Sequence, residues 1–501
     1  MKLLFLLLAV LSVANGFAQS KETIITIHPE QAKDTISKHL YGQFAEHLGA
    51  CIYGGLWVGE DAAKPNTNGY RNDVLKALKE LQIPNLRWPG GCFADEYHWM
   101  DGIGARSQRP KMVNNNWGGV VENNSFGTHE FLNLCEILGC EPYISGNVGS
   151  GTVEELAKWV EYMTSDGDSP MANLRRQNGR EKPWKVKYLG VGNESWGCGG
   201  DMLPEYYADL YRRYAVYCRN FDGNRLFKIA SGASDYDYNW TEILMKKIGN
   251  KMNALSLHYY TVKTWDGSKG SATDFSAEDY YWTLDKCLEI EEVIQKHIAI
   301  MDKYDPDKRI GLMVDEWGTW WDVEPGTNPG FLFQQNTMRD AMVAGLTLNV
   351  FHKYADRIQM SNIAQIVNVL QSMILTKEDK MILTPTYFVF KMYQVHQDAL
   401  YLPLEMTGEN VSASASQKEG KIHISLINTD LESEQRIKIF LPGLKVNQVS
   451  GQMLTSKAIS DHNTFENPDR VKTVDFKDVK LNKAQLTVHL PAKSIVVLEI
   501  E

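Results

Sequence analysis

Two short segments hold the carboxylates best placed for chemistry. One reads Gly192-Asn193-Glu194-Ser195-Trp196-Gly197, the other Asp315-Glu316-Trp317-Gly318. Each glutamate sits just beyond a strand-like run, residues 186–192 in the first case and 310–314 in the second. Parallel barrels place their active sites at the C-terminal ends of the strands. Two carboxylates meeting on that face suit cleavage of a glycosidic bond. One, protonated, gives its proton to the leaving oxygen; the other attacks the anomeric carbon or activates a water. A gap of about 5–5.5 Å between the carboxyl groups goes with retention of configuration, and about 6.5–9.5 Å with inversion. Either glutamate alone is equally well explained as half of a structural ion pair. Asn-Glu at one strand end together with Asp-Glu-Trp-Gly at another favours the catalytic reading.

The elements that must position these residues show as an alternation. Strand-like runs fall at 40–44, 83–88, 141–145, 186–192, 227–231, 254–258, 310–314 and 357–360. Helical patterns fall between them at 72–81, 128–138, 153–163, 204–218, 240–248, 277–304 and 331–354. The pattern at 204–218 opens on Pro204, a residue whose missing N–H is harmless in a first helical turn. Strands alternating with helices predict parallel βα units. Over residues 36–385 they predict an α/β fold, a (β/α)8 TIM barrel, with Glu194 ending strand four and Glu316 ending strand seven. The rival is a doubly wound open sheet, which would carry a GxGxxG phosphate loop after an early strand. Gly146-Asn147-Val148-Gly149-Ser150-Gly151 has the wrong glycine order for one. Beyond residue 386 the period changes to two, as in Lys421-Ile422-His423-Ile424-Ser425-Leu426-Ile427 and Leu486-Thr487-Val488-His489-Leu490. This alternation predicts a C-terminal β-sandwich over 386–501. Residues 22–28 alternate too, so segment 19–35 is expected to add a strand to that sandwich.

Composition narrows the function classes. A 43% hydrophobic and 23% charged chain has the balance of a folded globular protein. A net charge of −10 speaks against a nucleic-acid partner. The aromatic share of 11% suits both a large core and a sugar-lined cleft. Residues 1–18 read as a signal peptide: Lys2 precedes an apolar run at 3–13, and Ala14-Asn15-Gly16 and Gly16-Phe17-Ala18 offer cleavage sites. The expectation is an exported protein, periplasmic or secreted. No later stretch is long and apolar enough for a membrane helix, so no membrane partner is expected. The seven cysteines are an odd number without a CxxC pair. They are expected to be mostly reduced and buried. No HExxH, P-loop or paired metal-ligand spacing is present, so neither a metal nor a cofactor is expected.

Six segments in order complete the reading. They are Tyr41-Gly42-Gln43-Phe44-Ala45-Glu46-His47-Leu48-Gly49, Arg87-Trp88-Pro89-Gly90-Gly91-Cys92-Phe93, Gly192-Asn193-Glu194, His258-Tyr259-Tyr260, Val314-Asp315-Glu316-Trp317 and Asn362-Ile363-Ala364-Gln365-Ile366-Val367-Asn368. Across nearly the whole chain past residue 18, the sequence resembles the α-L-arabinofuranosidases of glycoside hydrolase family 51. The resemblance implies a retaining, exo-acting enzyme with Glu194 as acid/base and Glu316 as nucleophile. It implies an arabinofuranose-containing oligo- or polysaccharide as partner, and a homo-oligomer. Asn193 would donate to a sugar hydroxyl or to the nucleophile, or else cap the strand. His258 and Tyr260 lie two residues apart, hence on one strand face. By analogy His258 tunes the acid/base and Tyr260 bonds Glu316, although a lone strand histidine is more often a core residue. Glu46 and Gln365 would bind sugar hydroxyls; an ion pair and a solvated amide are their plain alternatives. Arg87 would orient a carboxylate or serve a structural ion pair. Cys92 stands where many family members have Asn, and a thiol is a weaker hydrogen-bond partner. Trp117, in Trp117-Gly118-Gly119, resembles the loop tryptophan that shields the family's pocket, or packs in the core. Two rivals remain: an endo-glucanase or β-xylosidase of the same clan, which uses the same two glutamates, and an inactive carbohydrate-binding protein.

Overall fold

The computed structural model describes residues 22–443 and 446–501. The segment read as a signal peptide, 1–18, lies outside the described residues. Eight parallel strands close into a barrel, as the alternation predicts. In chain order they are Gly42–Phe44, Asn85–Trp88, Glu141–Gly146, Tyr188–Val191, Phe227–Ser234, Ala254–Thr261, Gly311–Thr319 and Ile358–Ile363. They are called strands one to eight below, and each pairs with its sequential neighbours around the ring. Strands six and seven are buried along their whole length, as parallel strands covered on both faces must be. Helices wrap the outside. In the first of them, Asn72–Leu81, the residues Val74, Leu75, Leu78 and Leu81 are buried, the stripe of an amphipathic helix.

Capping chemistry explains where the structure departs from the periodicity reading. The pattern at 331–354 suggests one long helix, but the helix spans Met338–Lys353. Thr337 accepts from the Arg339 N–H, and Asp340 reaches back to the Thr337 N–H, a capping box that starts the helix there. The residues just before it form a loop containing Leu332, which turns over the barrel mouth. Two further helices, Pro170–Gln177 and Pro385–Tyr393, lie outside the helical patterns read from the sequence; each begins on a proline.

The C-terminal region is a sandwich of a five-stranded and a six-stranded sheet. The N-terminal strand Thr23–Ile27 lies inside the five-stranded sheet, antiparallel to Leu404–Thr407 and parallel to Gln435–Phe440. Along Gln485–Leu490 buried and half-buried residues alternate, which puts Leu486, Val488 and Leu490 on the inner face. They meet Ile424, Leu498 and Ile500 of the opposite sheet in one apolar cluster. The Met338–Lys353 helix is buried on nearly all sides, because barrel and sandwich both pack on it. Its His352 and Asn349 bond the hydroxyls of Ser414 and Ser412 at 2.9 and 3.0 Å.

Candidate active site

Arg87, in strand two, anchors the site. Its guanidinium donates to Glu316 Oε1 at 2.8 Å, to the Asp315 carbonyl at 3.0 Å and to Asn193 Oδ1 at 2.5 Å. The charge is buried, and burial alone would lower its pKa, but Asp315 and Glu316 outweigh that and raise it. Arg87 therefore pairs with one carboxylate of the predicted pair. Asn193 uses its oxygen on Arg87, and its amide nitrogen faces Cys198 Sγ at 3.9 Å rather than Glu316.

A regular strand would send the adjacent residues Asp315 and Glu316 to opposite faces. Here strand seven slips register against both neighbours around Val314 and Asp315, the mark of a β-bulge. Both carboxylates therefore reach the same charged cluster. Asp315 accepts from Tyr143 at 2.6 Å and lies 3.3 Å from His258 Nε2. Burial works against its charge, but Arg87 and His258 keep its pKa below the ordinary value. Glu316 Oε2 accepts from the Tyr260 hydroxyl at 2.8 Å. A Cβ on Gly91 would stand 2.9 Å from Glu316 Oε1, so only glycine lets that loop come so close.

Glu194 follows strand four in a left-handed conformation, φ 40°, which is uncommon outside glycine. Its carbonyl accepts the N–H groups of Gly197 and Gly199 at 2.7 and 3.0 Å, fixing the turn. Glu194 Oε1 meets His258 Nδ1 at 2.8 Å. Burial raises the Glu194 pKa, the His258 bond counteracts this, and the Glu316 charge raises it again. For His258, burial favours the neutral ring, but Glu316, Asp315 and Glu194 lift its pKa to about 10. Three carboxyl groups thus surround the His258 ring and favour its charged form.

Glu46, which follows strand one, is fully enclosed. Its Oε1 accepts from Trp117 Nε1 at 2.8 Å and Phe93 N at 3.0 Å, and its Oε2 from Gln365 Nε2 at 2.9 Å. Burial, and then the charge of Glu316, push its pKa up to about 7. Gln365 Oε1 is buried without a partner among the described residues. The alternatives of a surface ion pair for Glu46 and a solvated amide for Gln365 both fail on burial.

Cys92 departs from the expected free thiol: it is bonded to Cys198, tying the loop after strand two to the loop that carries Glu194. A disulfide has no S–H, so the hydrogen bond expected of Cys92 is not available. Cys198 Sγ lies 3.4 Å from Glu194 Oε2. The other five cysteines are buried and free. Glu194, His258 and Glu316 place donor atoms within 4.8 Å of one another, close enough to hold a cation, but Arg87 already sets a positive charge against Glu316.

Seven of the ten residues singled out in the sequence line a single cavity of about 440 Å³, and Arg87, His258 and Asn193 join them through hydrogen bonds. Sequence reasoning missed Asp95, whose carboxylate takes the N–H groups of Val148, Gly149 and Asn193 and so ties three strand-end loops together. It also missed Tyr143 and the cavity residues Trp196, Asp235, Trp265 and Trp320. These four cavity residues lie in loops, where no periodicity marks a residue as facing the site.

Two family models match the chain: "Alpha-L-arabinofuranosidase 1 domain" over residues 77–278 and "Alpha-L-arabinofuranosidase C-terminal domain" over 315–494. A Bacteroides ovatus protein named "Intracellular exo-alpha-L-arabinofuranosidase" is 67% identical over 505 residues, covering 98% of each chain. The crystal structure of the GH51 arabinofuranosidase from Xanthomonas axonopodis pv. citri is 50% identical, with a TM-score of 0.94 over 96% of this chain and 100% of that one. The arabinose complex of the Thermotoga maritima α-L-arabinofuranosidase is 30% identical, with a TM-score of 0.83 over 96% and 100%. These findings correct one expectation. The Bacteroides ovatus relative, similar along the whole chain, is named as intracellular, which overturns the exported, periplasmic or secreted location read from residues 1–18. The barrel, the arabinofuranosidase models over both parts of the chain and the full-length likeness agree: the chain belongs to the GH51 α-L-arabinofuranosidases and is a glycoside hydrolase.

Proposed function

We propose that this arabinofuranosidase releases terminal α-L-arabinofuranosyl groups from arabinan, arabinoxylan or their oligosaccharides with retention, using Glu194 as acid/base and Glu316 as nucleophile. The observation that carries the reading is that carboxylate oxygens of Glu194 and Glu316 come within 4.8 Å of each other across the cavity. So short an approach supports direct attack and retention rather than inversion, for which the carboxyl groups stand about 6.5–9.5 Å apart.

The terminal sugar lies at the enclosed end, its hydroxyls meeting Glu46 and the unpartnered Gln365 Oε1. Glu194, whose pKa burial raises, gives its proton to the leaving oxygen as the bond to the anomeric carbon breaks. Glu316 attacks that carbon, and Arg87 and Tyr260 hold its two oxygens in line. The ester so formed removes the Glu316 charge that helped to keep Glu194 protonated. Glu194 then takes a proton from water, whose oxygen attacks the same carbon as its ester bond to Glu316 breaks, freeing arabinose and the Glu316 carboxylate. The enclosure of Glu46 favours exo action, because a chain cannot run through that end.

Hydrolysis of 4-nitrophenyl α-L-arabinofuranoside, beside the β-D-xyloside and β-D-glucoside, tests the sugar. Methanolysis followed by NMR tests the stereochemistry: methyl α-L-arabinofuranoside is the product expected of retention. Release from the xyloside or glucoside alone would favour the endo-glucanase or β-xylosidase reading. No release from any would favour a binding protein.

A further inference from the structure

The cavity has two unlike ends. Going around the barrel, strands eight, one and two bring Gln365, Glu46 and the Cys92 loop to one side of the catalytic pair. That end is shut by the Trp117 indole on Glu46. The loops after strands four, five, six and seven form the other side, with Trp196, Asp235, Trp265 and Trp320 in that order. This end opens to solvent, and Trp265 is 52% exposed. With Glu194 as acid/base, the leaving part of the substrate belongs on this open side, because Glu194 lines the same cavity as these residues.

Asp235 is held at that opening from two directions. Its N–H donates to the His258 carbonyl at 2.9 Å, and its own carbonyl accepts from His297 Nε2 at 2.9 Å. Its φ is 47°, so the backbone turns the side chain out of the strand line. The carboxylate has one protein donor, the Ser234 hydroxyl on Oδ2 at 3.0 Å; Oδ1 has none among the described residues. The flanking indoles are fixed: Trp196 Nε1 donates to the Gly232 carbonyl at 3.0 Å, and Trp265 stands edge-on to Trp320 with centroids 5.4 Å apart. A carboxylate with spare lone pairs in a cavity that indoles also line is suited to a second sugar ring, whose C–H face packs on an indole while its hydroxyls donate to the acid.

We infer that Asp235 is a specificity-determining residue, accepting hydrogen bonds from the hydroxyls of the leaving sugar; the inference rests on the reading of Glu194 as acid/base. It makes the enzyme discriminate between leaving groups that carry hydroxyls and those that do not. Aspartate also tolerates a left-handed backbone, the competing structural explanation that the test must separate. Asp235→Asn keeps that tolerance and the shape while removing the charge.

The test compares kcat/KM of the wild type and Asp235→Asn on α-1,5-linked arabinobiose and on 4-nitrophenyl α-L-arabinofuranoside, with melting temperatures recorded alongside. The expected result is a loss of roughly tenfold or more on arabinobiose, the size of one charge-assisted hydrogen bond, against a loss of no more than about threefold on the aryl glycoside. Equal losses on both substrates, or none on arabinobiose, would overturn the inference. A wild type inactive on both would instead overturn the activity reading, and this inference with it.

Discussion

At the C-terminal end of the barrel, Arg87, His258, Asp315 and Glu316 are buried charges in mutual contact. Between the sheets of the sandwich, Ile25, Ile424, Ile437, Val488 and Leu498 belong to one apolar cluster. Burying charges is costly even when they are paired, and a buried ion pair adds little net stability. Burying aliphatic side chains stabilises by about 25 cal/mol per Å². The barrel end thus holds chemistry at a cost in stability, and the sandwich supplies stability without chemistry. Substitutions in the two regions should separate rate from stability.

The largest effect is expected at Glu316, the proposed nucleophile. Glu316→Gln should lower kcat on the aryl arabinofuranoside by roughly 10⁵-fold or more, while denaturant unfolding stays cooperative. A loss of only about tenfold would remove Glu316 from the nucleophile role. Glu194→Ala comes next, with a loss of roughly 10²–10⁴-fold on arabino-oligosaccharides. On the aryl glycoside, whose leaving group needs little protonation, the first step should suffer less; burst kinetics would show product release outrunning turnover. In the sandwich, Ile424→Ala should cost about 2–5 kcal/mol of stability in urea titrations and leave kcat at the wild-type value. A matching fall in kcat would mean that the sandwich positions the site.

The smallest expected effect is one of pH. The folded-state pKa of His258, about 10, lies above its ordinary 6.5. Its charged form therefore adds stability that is complete below pH 6.5 and is lost as pH rises through about 10. The stability difference between the wild type and His258→Asn should shrink across that window. A difference that grows with pH would show that the ring is neutral in the folded chain.

Much of this was legible along the chain. Buried parallel strands leave short apolar runs, and Asn72–Leu81, Thr128–Leu138 and Ala277–Tyr304 have the bounds that periodicity gives them. Glu194 and Glu316 stand out because their residue types recur at strand ends. Other features had no such signal. The bulge at Asp315 breaks the alternation that a reader relies on. Asp95 ends a single short turn, Cys92–Asp95, and Asp235 and Trp265 sit in loops; side-chain directions there follow no period. The partner of Cys92 was one of six other cysteines, and no spacing marked Cys198 as the one.

By itself the sequence determined which chemical groups the protein owns, their order, and the local periods that make strands and helices. These depend on neighbours a few residues away. Only the tertiary structure decided which groups meet: Arg87 and Glu316 are 229 positions apart, and Glu194 and His258 are 64. Electrostatic and hydrogen-bond energies depend on distances of a few ångströms and on the exclusion of water. Barrel closure creates both at once, and with them the buried Glu194, the Glu316 held by Arg87 and Tyr260, and the open end beyond them.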